Sequence, residues 1–278
     1  MDNNSIVIGI DIGGSTTKIC GFGGGGKILI EPLFIKASDQ IASIYGAFGK
    51  FCSDNAIPLD KIGHINVTGV GSTFVTKPLY GIETERVAEF TSSGLGGMYL
   101  SGLGRVIVVS MGTGTAIIKA DRTEKCEYLG GTGVGGGTLL GLARKLLGME
   151  SIEGIVELAS KGNLANINLT VGDITKGDIK GLSHDMTASN FGKVNDRTSG
   201  ADIALGLIDM IFETIGMMSI FAARKFAVDD IVLTGSLTRI PQCGEIFGVL
   251  ERLFGIRFII PERAPFGTVI GSALHYFK

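Results

Sequence analysis

Twice in this chain a short apolar run ends in a glycine and hydroxyl turn and doubles back into a second run. The first copy is Ile6-Val7-Ile8-Gly9-Ile10-Asp11-Ile12-Gly13-Gly14-Ser15-Thr16-Thr17-Lys18. The second runs from Arg105 to Ser110, through Met111-Gly112-Thr113-Gly114-Thr115, into Ala116 to Ala120. β-Branched runs of this length bounded by glycines predict buried strands closed by tight turns. A repeated strand–turn–strand unit restricts the fold to two related α/β units facing each other. The first turn offers backbone N–H groups to an anion, because glycines let a phosphate approach the chain closely. Lys18 adds a point charge, and Asp11 stands where it could hold a hydrated Mg²⁺. The segment lacks the P-loop pattern and opens a hairpin rather than a helix, which separates it from a dinucleotide fold.

The rest of the chain fits that frame. Gly23 to Gly26 is a turn, Lys27 to Phe34 a third strand, and Ser38 to Asn55 a helix with Ile41, Ile44, Tyr45, Phe48 and Phe51 at helical spacing. Ile65 to Gly71 is a strand ending in glycines, and Phe90 to Leu100 is helical. After the second hairpin, Tyr128-Leu129 leads through Gly130-Gly131-Thr132-Gly133-Val134-Gly135-Gly136-Gly137-Thr138 into a helix over 139–147. Glycines entering a helix N-terminus form an anion site from free N–H groups and the positive end of the dipole. Residues 150–200 are polar, with short helices and a loop; Asp202 to Phe226 is one long helix; Ile231 to Ser236 is a strand ending in Thr234-Gly235-Ser236. Phe258 to Pro261 is an edge strand stopped by proline, and Gly267 to Tyr276 a final helix. The expected division is 1–101 and 102–278, with the last helix packing back toward the first unit. Four glycine-rich loops at the ends of apolar strands imply one nucleotide bound in the cleft between the units.

Composition narrows the function. A net charge of −2, without a cluster of basic residues, argues against a nucleic-acid or anionic-membrane partner. No apolar run approaches the roughly 20 residues of a membrane helix. The four cysteines, Cys20, Cys52, Cys126 and Cys243, are dispersed, which argues against zinc or iron–sulfur ligation and fits reduced cytosolic thiols. The chain enters its first strand without a leader pattern, so a cytoplasmic location is expected.

The two hairpins and the late Thr-Gly-Ser turn resemble the actin/hexokinase/Hsp70 nucleotide-binding superfamily. More narrowly, the chain is similar to the type II (eukaryotic-like) pantothenate kinases. The likeness runs through Gly9 to Ser15, Ala88-Glu89-Phe90, Gly112-Thr113-Gly114, Gly130 to Gly137, and Asp185-Met186-Thr187-Ala188-Ser189-Asn190-Phe191-Gly192. It implies an α/β fold of two duplicated actin-like (ribonuclease H-like) domains with an interdomain ATP cleft. It further implies Mg²⁺-dependent transfer from ATP to the primary hydroxyl of pantothenate, the first step of coenzyme A synthesis. A homodimer built around the long helix and feedback by CoA or acyl-CoA are implied as well.

By the same resemblance Glu89 is the catalytic base, with Asp11 positioning Mg²⁺ through water. Gly13, Gly14, Ser15, Thr16, Lys18, Gly112, Thr113, Gly131, Gly135, Gly136, Gly137, Phe191, Gly235 and Ser236 serve ATP. Glu89, Thr113, Thr115, Ala116, Tyr128, Thr187 and Ala188 face the acceptor. Two positions depart from the pattern: Tyr128 stands where the family has a carboxylate-binding arginine, and Ala116 where a serine is common. A tyrosine hydroxyl does not replace a bidentate, charge-assisted contact.

Three alternatives stand beside this reading: a kinase of the same superfamily acting on a sugar or other small acid, a non-catalytic ATP- or CoA-binding relative, and an activator similar to those of 2-hydroxyacyl-CoA dehydratases. The dispersed cysteines disfavour the last. As residues, Glu89 could equally complement a helix dipole. His64 and His275 read as structural, His184 as a solvated loop residue, and Arg239 and Arg263 as surface charges.

Overall fold

A computed structural model describes residues 5–14, 16–36 and 39–278. The opening run forms β1 (Ile6–Ile12), returning as β2 (Thr16–Gly23) and β3 (Ile28–Lys36), followed by α1 (Gln40–Asp54), β4 (Ile62–Thr68), β5 (Thr84–Arg86) and α2 (Glu89–Ser101). The second half repeats the order with β6 (Arg105–Met111), β7 (Thr115–Asp121), β8 (Glu127–Thr132), α3 (Gly136–Leu147) and α4 (Ile152–Ala159). A small insertion follows, made of β9 (Leu169–Thr170), α5 (Val171–Ile174) and β10 (Thr187–Ser189). The chain then runs through α6 (Gly200–Phe226), β11 (Asp230–Thr234), α7 (Gln242–Phe254), β12 (Arg257–Ile259) and α8 (Gly267–His275).

The duplication expected from the two hairpins is complete at the level of topology. The first sheet runs β3-β2-β1-β4-β5 and the second runs β8-β7-β6-β11-β12. In each, the hairpin strands are antiparallel, and the two later strands join in parallel through helical crossovers. The central strands are apolar on both faces because both are covered: Ile8, Ile10 and Ile12 of β1, and Val106 to Val109 of β6, are buried.

Two helices are exchanged between the halves. α2 lays Leu95 and Met98 against Val106, Val108, Ile118 and Val232 of the second sheet. α8 lays Val269, Ile270 and Ala273 against Cys20 and Phe22 of the first. Where they cross, side chains are nearly absent: a Cβ at Gly96 would collide with the Gly267 carbonyl, and one at Gly271 with the Ser92 carbonyl. Ser93 and Thr268 hydroxyls share a buried hydrogen bond of 3.0 Å at the same crossing. At Gly9 of β1 a Cβ would lie 2.5 Å from the Val269 carbonyl, so α8 rests directly on strand backbone.

Three expectations change. Gln242–Phe254 is a helix that the sequence reading passed over; it buries Cys243, Ile246, Phe247 and Leu250. Ile41 and Tyr45 of α1 face outward, and only Ile44, Phe48 and Phe51 carry its buried face. One helix, Gly200–Phe226, is apolar and long enough to cross a membrane, against the expectation that no such run exists. Most of it is buried, and Leu207, Ile208, Ile211, Phe212 and Ile215 form the centre of the largest core.

Candidate active site

At the end of β1, strand geometry sets Asp11 directly opposite Lys18 of β2. Cross-strand partners share a face, and Lys18 Nζ stands 3.7 Å from Asp11 Oδ2, with both side chains largely buried. Burial raises the Asp11 carboxyl above the ordinary range, and the Lys18 charge pulls it back. Pressed against this carboxylate is Gly69, just beyond β4: its φ is +83°, and a Cβ would sit 2.6 Å from Asp11 Oδ1. The position therefore demands glycine twice, for conformation and for space. It was read only as the end of a strand. The signal was present, because Thr68-Gly69 is matched by Thr234-Gly235 at the equivalent point of the second half.

Glu89 is the first residue of α2, where an acidic side chain complements the helix dipole. Its carboxyl is raised first by burial and then by the Asp11 charge, with Lys18 opposing. Glu89 thus shares an electrostatic environment with the Asp11–Lys18 pair. The residue itself is solvent-accessible, so crowding on one side, not enclosure, sets this direction. Gly13 N–H donates to the Thr16 carbonyl at 2.9 Å, closing the turn, and a Cβ at Gly14 would meet nothing within 4 Å. Ser15 lies outside the described residues.

A second cluster forms at the matching edge of the other sheet. The turn at Gly112 and Thr113 is stitched to the glycine stretch: Gly136 N–H donates to Gly112 O and Gly137 N–H to Thr113 O, both at 2.9 Å. The helix-terminal amides expected to be free are thus spent holding two loops together. α3 accordingly begins at Gly136, three residues earlier than its apolar pattern suggested. Gly135 packs so closely that a Cβ would lie 2.6 Å from Thr113 O. Thr115 Oγ1 donates to Val134 O at 2.9 Å, and Gly235, with φ +92°, lies against the Met111 backbone. Ser236 opens the short turn that follows. The Gly112, Gly135–Gly137 and Gly235 loops therefore converge.

Other assigned residues fall elsewhere. Thr187 and Ala188 lie on β10, paired only with β9, and Phe191 (φ +60°) packs its ring against Gly206 of α6. None of the contacts described joins this loop to the Asp11–Glu89 group. Ala116 is on β7 opposite Gly131. Tyr128 stacks face to face on Phe90, with ring centroids 3.9 Å apart and planes at 5°, so β8 of the second sheet meets the start of α2 beside Glu89. Arg144 spends its charge on Glu150, 3.6 Å away. His184 faces the exposed Asp178 at 3.3 Å. Arg263 forks onto Glu31 of β3 and Arg239 lies over Phe34, so these two surface charges bridge the halves. Among the described residues no group of three His, Cys, Asp or Glu is placed to hold a metal.

Comparison with known proteins places this geometry. The chain is 29% identical over 238 residues to "Type II pantothenate kinase" of Bacillus cereus strain G9842, covering 82% of this chain and 83% of that one. It is 39% identical over 142 residues to "Pantothenate kinase 2" of Arabidopsis thaliana, covering 48% of this chain and 16% of that protein. In fold it is similar to the activator of 2-hydroxyisocaproyl-CoA dehydratase from Clostridium difficile with bound ADPNP, with a TM-score of 0.71, 14% identity, and 98% and 94% of the two chains covered. Residues 102–243, which hold the second hairpin, the glycine loop, α6 and the Thr234-Gly235-Ser236 turn, match Fumble, and the chain belongs to the Fumble family.

Proposed function

We propose that this protein transfers the γ-phosphoryl group of ATP to the primary hydroxyl of pantothenate, an early step toward coenzyme A. The observation that carries the reading is Glu89 at the mouth of α2, sharing one field with the Asp11–Lys18 pair. A phosphoryl acceptor needs a carboxylate to take its proton as the oxygen attacks, and a group with raised proton affinity suits that task. Lys18 and the Gly13-Gly14 turn face the phosphate chain, and the stitched Gly112 and Gly135–Gly137 loops with Gly235 and Ser236 frame the nucleotide from the other sheet. The single carboxylate of Asp11 suits a Mg²⁺ that keeps its waters and leans on phosphate oxygens. When bound, the ion neutralises charge on the transferring phosphoryl group. A homodimer along the half-exposed Met210, Met217 and Phe221 face of α6, control by CoA thioesters and a cytoplasmic location belong to the same reading.

The test is ADP release by the purified protein with Mg²⁺, with and without pantothenate. Pantothenate-dependent release should fall on the order of 10²-fold or more in Glu89→Gln. Because the base must be ionised, wild-type kcat/KM should decline as pH falls through the raised Glu89 pKa, above the ordinary carboxylate range. Wild-type protein that binds ATP but shows no pantothenate-dependent turnover would overturn this substrate and direct a screen to other hydroxyl acceptors.

A further inference from the structure

A small pocket of ≈190 Å³ at the flank of the first sheet is lined by Val67, Thr76, Lys77, Thr84 and Arg86 among others, with no carboxylate on its wall. Among the described residues neither Lys77 nor Arg86 joins an ion pair, whereas the other cations around the cleft are committed: Lys18 to Asp11, Arg263 to Glu31 and Arg239 to the Phe34 ring. Arg86 is held in place, since Nη2 donates to the Thr73 carbonyl at 3.2 Å. Thr73 lies in the turn Val70–Phe74 that starts at Gly69, the glycine pressed on Asp11. One donor is used there, and a guanidinium has five.

Topology fixes where this charge lies. Arg86 ends β5 in register with Val67, and Asp11 is in register with Thr68, so Arg86 and Asp11 share one edge of the sheet. β5 is the outer strand, two strands from β1 on the side away from the β1–β2 turn. Glu89 follows three residues later, a reach of at most about 10 Å of chain. The base and an unneutralised cationic pocket are therefore built on one short segment, clear of the loops that frame the nucleotide.

We propose that the Arg86–Lys77 pocket is the subsite that holds the anionic end of the acceptor, a carboxylate several bonds from the hydroxyl presented to Glu89. This rests on the kinase reading above. A guanidinium gripping a carboxylate gives a charge-assisted contact, and the nearby ammonium adds attraction without a second fixed geometry. An acceptor with an uncharged amide in place of the carboxylate gains nothing there.

The experiment compares pantothenate with pantetheine, whose corresponding end is neutral, in wild type, Arg86→Gln, Arg86→Lys and Lys77→Gln. In Arg86→Gln the ratio of kcat/KM for the acid over that for the neutral amide should fall about 10- to 100-fold, chiefly through KM for the acid. Arg86→Lys should restore part of the ratio, and Lys77→Gln, an exposed substitution, should lower it several-fold. Equal losses on both acceptors, or an unchanged ratio, overturn the subsite. Binding of N-acetyl-β-alanine, which carries the acid end with no hydroxyl to phosphorylate, is read by NMR titration in parallel. Binding to wild type that is lost in Arg86→Gln supports the pocket even where pantothenate is not turned over, so the two readings fail separately. No binding to wild type, or equal binding to both proteins, overturns it.

Discussion

Asp209 shows how one residue of α6 governs a loop at a distance. Its carboxylate accepts from Asn168 Nδ2 at 2.6 Å, and Asn168 Oδ1 accepts the Phe191 N–H at 3.1 Å, so a buried amide ties the helix to the loop that follows β10. One turn on, Glu213 takes Asn190 Nδ2 at 2.9 Å. Burial, with the Glu213 charge added, raises the Asp209 carboxyl to about 6, and the Asn168 hydrogen bond only partly offsets it. A carboxyl raised in the folded state stabilises the fold most when protonated. Its contribution is complete below the unfolded value near 4 and is lost as pH rises through about 6. The loss amounts to roughly 2–3 kcal/mol. Asp209→Asn should therefore flatten the fall in unfolding free energy between pH 4 and 7, measured by urea titration against wild type. An unchanged pH slope would show that Asp209 is not held above its ordinary range. Phe191 itself marks a limit of reading by motif: its ring fills space against Gly206, a packing role that no local pattern of residues displays.

Elements meet in this protein through what is missing from them. The crossing of α2 and α8 uses Gly96, Gly267 and Gly271, and substitution there must move backbone, not a flexible side chain. Gly96→Ala should lower stability by about 3 kcal/mol or more, seen as a reduced denaturation midpoint. Gly141→Ala in exposed space on α3 should raise it by about 0.5–1 kcal/mol. Similar losses at both sites would deny the crossing its special tightness. These glycines also explain what was legible in the chain and what was not. The paired hairpins, Asp11 opposite Lys18, the Gly-rich entry to α3 and the long α6 follow from periodicity and turn chemistry, which act over a few residues. The 44 glycines read as loop formers, yet Gly9, Gly96, Gly267 and Gly271 serve close packing between segments far apart in sequence. Amides at Gly136 and Gly137 read as free because their acceptors, Gly112 and Thr113, lie on another strand pair. Arg86 and Lys77 stand out only once the turn Val70–Phe74 folds over β5. α7 was passed over, although its apolar positions face α6, with Phe212 and Phe247 rings 5.6 Å apart.

At the scale of the molecule the two halves are related by duplication but not independent. We propose the division at 101 and 102 as the boundary between nucleotide-binding units, and the packing crosses it in both directions: α2 completes the core of the second sheet, and α8 that of the first. Units that each lack a helix without the other should melt together. Calorimetry should give one transition with calorimetric and van't Hoff enthalpies in agreement. Two resolved transitions would mean that each sheet holds its own core without the exchanged helix. The exposed Arg263–Glu31 pair adds under about 1 kcal/mol to this cohesion. The same exchange imposes an order on biosynthesis. A ribosome releases β1 to β5 early, but Cys20 and Phe22 have no helix to cover them until residues 267–275 emerge. The first-made sheet therefore waits, partly uncovered, through almost the whole of translation, and the nascent chain is exposed to chaperones and to premature termination alike.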